Sequence, residues 1–174
     1  MKLLSSATLA VLMSIGLARP QAKASEIALF DRLAGIWDVT YEIYDKDGTM
    51  RPYHGQVIYN RILNGGALQE VWSSDIHDKI PQPYGTTIGF YDAKHERWTA
   101  VWIFPAKGYT GIVSGGEEEG GRILLTGRDD DGTLQRWSID NIEADSFLFH
   151  FESSKDGGKT WRLLGLNRMH RHGA

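Results

Sequence analysis

Glu70 is the residue of this sequence whose position most suggests chemistry, because it lies between Leu68 and Trp72 in the segment ALQEVWSS. In a strand these three side chains share one face, since successive residues point to opposite sides. A carboxylate on an apolar face is costly to bury unless it pairs with a cation or a ligand group. Glu70 is therefore predicted to hold the polar group of a ligand or to act as an acid and base. The alternative is an outward cross-strand ion pair.

Three arginines are candidate partners for Glu70, namely Arg61, Arg136 and Arg168. Arg136 lies in the segment TLQRWSI, on the same face as Leu134. A Glu70–Arg136 pair inside the fold is predicted to orient a polar ligand group or to serve as the catalytic pair of an enzyme.

Aromatic and aliphatic side chains alternate with polar ones in several segments, which predicts strands with one apolar face. Core packing is the ordinary interpretation of these faces, and a cavity for an apolar or planar molecule is the functional one. Both can hold in the same protein. The residues predicted to form the cavity wall are Tyr41, Trp72, Trp102 and Phe149, with Glu70 and Arg136 as polar anchors.

Other kinds of site have little support in the sequence. The chain has no cysteine, which excludes a disulfide, a thiol nucleophile and a cysteine-based metal site. Neither a HExxH helix nor a G-x-S-x-G elbow nor a phosphate-binding glycine loop occurs. No metal and no cofactor are therefore expected, although His150 or His170 could ligate haem if either pointed inward.

The N-terminal residues carry the three parts of a secretory signal peptide. Lys2 precedes an apolar run that ends near Leu17, and a small-x-small triplet follows at residues 22–24. Residues 1–24 are predicted to be removed near Ala24/Ser25, which leaves a single domain, 25–174, in the periplasm or outside the cell. The apolar run is shorter than the roughly 20 residues of a membrane-spanning helix, so stable membrane insertion is not expected.

The net charge of the chain indicates which kinds of partner it can have. The whole chain has a formal charge of −3, and removing Lys2, Arg19 and Lys23 with the leader makes it −6. A mildly acidic protein is a poor partner for nucleic acid. A small apolar ligand is the expected partner, and a homodimer is among the options that the sequence leaves open.

Ten segments have the alternation of strands, and short turns rich in Gly and Asp separate them, as tight hairpins require. Their order without crossovers predicts an all-β, antiparallel up-and-down β-barrel of about ten strands, because closing the sheet removes its edges. A short helix in SEIALFDRLAG is predicted to precede the first strand. A two-sheet sandwich is the alternative.

The segment SSKDGGKTW, residues 153–161, is predicted to be a structural corner. Asp156 can accept turn N–H groups, Gly158 supplies a permissive backbone, and Trp161 can pack back over the turn. The spacing resembles the Asp-box of sialidase-type propellers. It lacks the ligand pattern of a calcium loop.

Gly35-x-Trp37 at the entry to the first strand and Arg168 in the last resemble the calycin arrangement of lipocalins and fatty-acid-binding proteins. There the tryptophan closes one barrel end and a late arginine lies across it. The segments RILNGGALQEVW, GTTIGFYDAKHERWTAVWIF and GIVSG are similar in kind and order to DUF1579-type lipocalin-like bacterial proteins. This resemblance implies a barrel with a cavity.

The sequence thus predicts an exported lipocalin-like protein that binds a small, largely apolar molecule. One alternative is a cofactor-free isomerase, cyclase or hydrolase that uses Glu70 as acid and base. A second is a structural or interaction module whose core is filled.

Overall fold

The alternating segments become ten strands in the computed structural model, which describes residues 30–76 and 79–174. The strands are β1 (Gly35–Tyr44), β2 (Met50–Ile62), β3 (Ala67–Ser74), β4 (Gln82–Asp92), β5 (Arg97–Phe104), β6 (Tyr109–Glu117), β7 (Ile123–Arg128), β8 (Leu134–Asp140), β9 (Ser146–Ser154) and β10 (Arg162–Arg171). Two 3-10 turns, Leu63–Gly65 and Pro105–Lys107, connect β2 to β3 and β5 to β6. The predicted signal peptide lies outside the described residues.

Each strand pairs antiparallel with the next along the chain, and β10 pairs with β1 to close the barrel. Trp37 lies opposite Arg171 and Val39 opposite Met169 across this closing pair. The predicted up-and-down barrel is therefore confirmed, and the two-sheet sandwich is wrong. Of the predicted N-terminal helix, only Phe30 and Asp31 are helical within the described residues.

The corner between β9 and β10 is formed by the segment SSKDGGKTW. Asp156 accepts hydrogen bonds from the Thr160 backbone N at 2.9 Å, from Thr160 Oγ1 at 2.6 Å and from Ser154 Oγ at 2.8 Å. These donors lower the pKa of Asp156 to about 2. Gly158 has a positive φ of 90°, and its carbonyl accepts a 3.1 Å bond from Trp161 Nε1. These hydrogen bonds all lie within the turn and hold it in place.

Aromatic packing closes one end of the barrel. Trp37 is fully buried, and its Nε1 donates to the Leu33 carbonyl at 2.8 Å. The Phe147 ring meets the Trp37 ring edge-on, with centroids 4.6 Å apart. Phe30 stacks on Trp98, and their ring centroids are 3.7 Å apart.

The arginine that lies across Trp37 is Arg171, whose guanidinium carbon is 4.2 Å from the ring centroid. The prediction that Arg168 has this position is wrong. Arg168 has the opposite orientation on β10 and bonds Glu42 at 2.6 Å on the outer face. Gly35, with a φ of +133°, leaves room for the arginine, because a Cβ there would lie 2.7 Å from Nη1 of Arg171.

Candidate ligand-binding cavity

The other end of the barrel encloses a cavity of about 530 Å³. A barrel of this strand number is wider than its inward side chains can fill. The lining is formed by the inward residues of most strands, by Ile76 after β3 and by Lys107 before β6. These lining residues are Tyr41, Ile43, Trp72, Ile76, Tyr84, Thr87, Trp102, Phe104, Lys107, Tyr109, Trp137, Phe149, Phe151, Gly165 and Asn167.

Four aromatic side chains that the sequence pointed to meet in this wall. Trp72 is at their centre, with its ring centroid 5.7 Å from that of Tyr41, 6.0 Å from Trp102 and 5.6 Å from Phe149. Their tilted and edge-on angles are those that aromatic pairs prefer. Strand alternation thus brings Tyr41, Trp72, Trp102 and Phe149 to one place.

Two wall features depend on β4 and were not predicted from the sequence. Gly85 makes room for Trp102, because a Cβ at Gly85 would lie 2.2 Å from Cη2 of that ring. The β3–β4 pairing shifts register here, because Trp72 lies opposite Gly85 and Ser73 lies opposite Pro83. Tyr84 therefore has no opposite residue on β3. The Tyr84 ring lines the cavity beside Trp102, at a centroid distance of 6.2 Å.

Glu70 is buried inside the barrel next to the cavity, with 7% of its surface exposed. Its Oε1 accepts a 2.8 Å hydrogen bond from the hydroxyl of Tyr59, the opposite residue on β2. Burial raises the pKa of Glu70 to about 7, and hydrogen-bonding groups on Tyr59, Thr87 and Trp72 limit the rise. The inward orientation predicted for Glu70 is therefore found, and the outward ion pair is not.

The predicted pairing of Glu70 with Arg136 is wrong. Arg136 lies on the outer face of β8, because its neighbour Trp137 points into the cavity. It forms a two-point ion pair with Glu152, at 2.7 Å from Nε and 2.8 Å from Nη2, and lies 4.1 Å above the Trp161 ring. Arg61 likewise bonds Asp31, and Arg168 bonds Glu42. The buried carboxyl is held by a tyrosine in place of the expected cation.

Two polar atoms in the cavity wall have no hydrogen-bond partner among the described residues. They are Nε1 of Trp72 and Oδ1 of Asn167. Each of these residues is 6% exposed, and both line the cavity. The hydroxyl of Tyr41, by contrast, donates to the Ser73 carbonyl at 2.7 Å. The Trp72 N–H nevertheless faces the Glu70 carboxyl and limits the rise of its pKa, so the wall does not offer it as a free donor.

The two histidines considered for haem lie on the outer surface. Nδ1 of His150 is 2.9 Å from Oδ2 of Asp140 on the outer face of β8 and β9. His170 borders a surface hollow with Asp38. Within residues 30–76 and 79–174 no three His, Asp or Glu side chains are grouped as a metal site requires. Nor does this part of the chain contain a helix long and apolar enough to cross a membrane.

The closed ten-strand topology and the cavity together give the protein a lipocalin-like barrel fold. The S-type phycobiliprotein lyase CPES from Guillardia theta has a similar fold, with a TM-score of 0.59 and 14% identity over 84% of this chain and 92% of that one. Rv2717c from M. tuberculosis is similar too, with a TM-score of 0.59 and 14% identity over 85% of this chain and 98% of that one. No model of a known family matches the sequence, and no curated protein matches it. The DUF1579 resemblance therefore stays a prediction.

Proposed function

We propose that this protein is exported and binds a small, largely apolar molecule in the barrel lumen. The observation that carries the proposal is the 530 Å³ cavity, whose wall includes Tyr41, Trp72, Trp102 and Phe149. Concave, mostly aromatic cavities with a few fixed polar groups are the usual form of small-molecule sites. A module with a filled core would have no such space.

Trp37 and Arg171 cover the closed end, so the ligand enters where Ile43, Phe104 and Lys107 line the cavity. Flat aromatic walls favour planar or extended apolar molecules, because offset stacking adds to the burial of apolar area. Naphthalene is a suitable probe, since it is planar, uncharged and without polar atoms.

The test displaces one aromatic ring of the cavity wall by a substitution at a residue that does not line the cavity. Gly85→Ala forces the Trp102 ring out of its place, because the new Cβ would lie 2.2 Å from that ring. We expect naphthalene to bind roughly tenfold more weakly, as the loss of one aromatic contact predicts. Tryptophan fluorescence quenching or calorimetry measures the dissociation constant.

Gly116→Ala is the matched control, since a Cβ at Gly116 would have no neighbour within 4 Å. Arg136→Met is a second control for the outer face, and both variants are expected to bind naphthalene as the parent does. Parent protein that does not bind naphthalene at all, or equal affinity in Gly85→Ala and Gly116→Ala, would overturn the lumen as the binding site.

Export is supported by the composition of residues 1–24 and needs its own measurement. When the full chain is expressed in a bacterium, we expect the protein in the periplasmic fraction to begin at Ser25, which intact-mass spectrometry detects. Protein that stays in the cytoplasm with its N-terminal residues intact would contradict export and leave the cavity proposal standing.

A cofactor-free enzyme is the second candidate, and one observation favours it. Glu70 is next to the cavity, and burial raises its pKa to about 7, which suits an acid and base at neutral pH. If it is catalytic, Glu70→Gln should accumulate a bound substrate that differs in mass or in chromatographic retention from the molecule recovered with the parent. The same molecule in both proteins would exclude the catalytic role.

A further inference from the structure

An uncharged row of side chains crosses the outer surface of β1 to β6. Strand pairing places Ile36 opposite Ile58 and continues the row across the next four strands. Trp72 and Trp102, which are chain neighbours of two members of the row, line the cavity. Because successive residues of a strand point to opposite sides, the row itself faces outward. Its members are Ile36, Ile58, Val71, Thr86, Ile103 and Thr110.

A second uncharged row lies beside the first on β4, β5 and β6, where Ile88, Val101 and Ile112 are opposite one another. Ile112 is 58% exposed, and Phe90, which follows Ile88 on the same side of β4, is 39% exposed. The two rows together with Phe90 form what we call the uncharged face. Contiguous exposed apolar surface of this kind marks interaction sites on soluble proteins.

Polar side chains on and beside the uncharged face make their hydrogen bonds within the sheet. The Thr86 hydroxyl donates to the backbone carbonyl of Glu70 at 2.7 Å. The hydroxyls of Thr99 and Ser114, which lie opposite each other on β5 and β6, are 3.2 Å apart. Covering these groups with another apolar surface therefore leaves them with their partners, which keeps the cost of burial low.

The other side of the barrel has a different outer surface, because ion pairs join its strands. Arg136 bonds Glu152 between β8 and β9, and Arg168 bonds Glu42 between β10 and β1. The chain is also acidic overall, with a formal charge of −3, or −6 once Lys2, Arg19 and Lys23 are removed. Two copies therefore repel each other in most orientations, and least when they meet through surfaces without charge.

We propose that the uncharged face binds the same face of a second copy of this chain and forms a twofold-symmetric dimer. In such a dimer one patch serves both subunits, so the patch must be complementary to itself. An uncharged sheet surface meets this condition, because two sheets can pack face to face with their side chains interdigitated. A nucleic acid or a charged peptide would find no charge on this face to pair with.

The size of the face agrees with a weak dimer. Six strands about 4.8 Å apart, with up to three alternate positions on each, give a face of roughly 500 Å². Two such faces bury roughly 1,000 Å² in total, which is the lower limit for a specific interface. The inference goes beyond the proposed ligand and does not depend on it, because the face lies on the outside of the cavity wall.

Sedimentation velocity of the purified protein over a concentration series tests the association. We expect the mass to rise from that of one chain at roughly 1 μM towards that of two chains at roughly 300 μM, as a small interface predicts. Raising the salt concentration from about 0.05 M to about 0.5 M should strengthen the dimer, because salt screens the repulsion between two acidic copies. An interface made of ion pairs would weaken instead.

Substitutions at Ile112 locate the interface. Ile112→Glu and Ile112→Lys change the net charge in opposite directions, and both should raise the dimer dissociation constant by at least roughly tenfold, because a charge in the contact loses its water. Met50→Glu is the matched control, since Met50 is a 45% exposed apolar residue at the start of β2, away from the uncharged face. It should leave the dimer intact. Urea unfolding checks that all three variants fold, and Ile112→Glu should bind naphthalene as the parent does.

Each outcome supports or overturns the dimer. Association that both Ile112 variants lose and Met50→Glu keeps supports it. A parent that stays monomeric throughout the concentration range overturns it, whether or not the variants fold. A dimer that the Ile112 variants leave intact, or that Met50→Glu disrupts as strongly, also overturns it. A monomeric parent that floats with phosphatidylcholine vesicles would show that a lipid surface covers the face in place of a second copy.

Discussion

Replacing Glu70 by glutamine is expected to make the protein more stable than the parent at pH 8, by about 3 kcal/mol beyond any difference at pH 4. The cause is burial, which raises the pKa of Glu70 from 4.5 to about 7. At 1.36 kcal/mol per pKa unit, that difference gives the figure of about 3 kcal/mol. Glutamine can still accept the bond from the Tyr59 hydroxyl, and it never ionises.

The direction follows from the proton balance of the two states. Below pH 4.5 the carboxyl is protonated in both states, so its stabilising contribution is complete. Between 4.5 and about 7 the unfolded chain releases the proton while the native barrel keeps it, and stability falls as pH rises. Above about 7 the loss is complete.

Urea unfolding of parent and variant at both pH values measures the effect. Glu119→Gln removes one exposed carboxyl from the β6–β7 turn and controls for the change in net charge. A gap between parent and Glu70→Gln that is the same at pH 4 and pH 8 would show that the buried carboxyl is not held as the structure has it.

Trp37→Ala is expected to lower the free energy of unfolding by about 3–5 kcal/mol, the range for removing a large aromatic side chain from a core. Trp37 is 0% exposed, and the change also removes its hydrogen bond to Leu33, its contact with Phe147 and the cation–π contact with Arg171. Thermal or urea unfolding of the two proteins provides the comparison.

Trp161→Ala is the matched variant, because it removes the same side chain from a half-buried position at the β9–β10 corner. We expect it to cost less than half as much, since less apolar area leaves water there. Equal costs for the two variants would mean that Trp37 does not close the barrel end.

Strand positions and the aromatic wall were predictable because both depend on local alternation. All ten predicted segments become strands, and the even spacing of Trp98, Ala100 and Trp102 puts these residues on one face. Closure of the barrel was harder to predict, because the alternation of residues within one strand does not indicate which strand it pairs with. The pairing of β1 with β10 is a long-range property of the whole sheet.

The arginines show where the sequence argument failed. Strand alternation already places Arg136 opposite in direction to Trp137, so the expected pairing with Glu70 gave charge complementarity precedence over geometry. The same alternation places Arg171, rather than Arg168, over Trp37. An acid buried against the Tyr59 hydroxyl was not considered, because sequence patterns favour a cation as its partner.

Three parts of the cavity were missed for different reasons. Asn167 could have been found, since it shares the inward face of β10 with Met169. Tyr84 could not, because the register shift that turns it inward has no clear sequence signal. Gly85 matters only through its distance to the Trp102 ring, which requires the three-dimensional structure.

Native mass spectrometry of the protein purified from the organism that makes it, compared with the same sample after denaturation, tests the central proposal most directly. If the lumen holds a ligand, the native mass should exceed that of the polypeptide by one small, largely apolar molecule, which denaturation releases. A native mass equal to that of the polypeptide alone would contradict the proposal that the lumen carries a ligand.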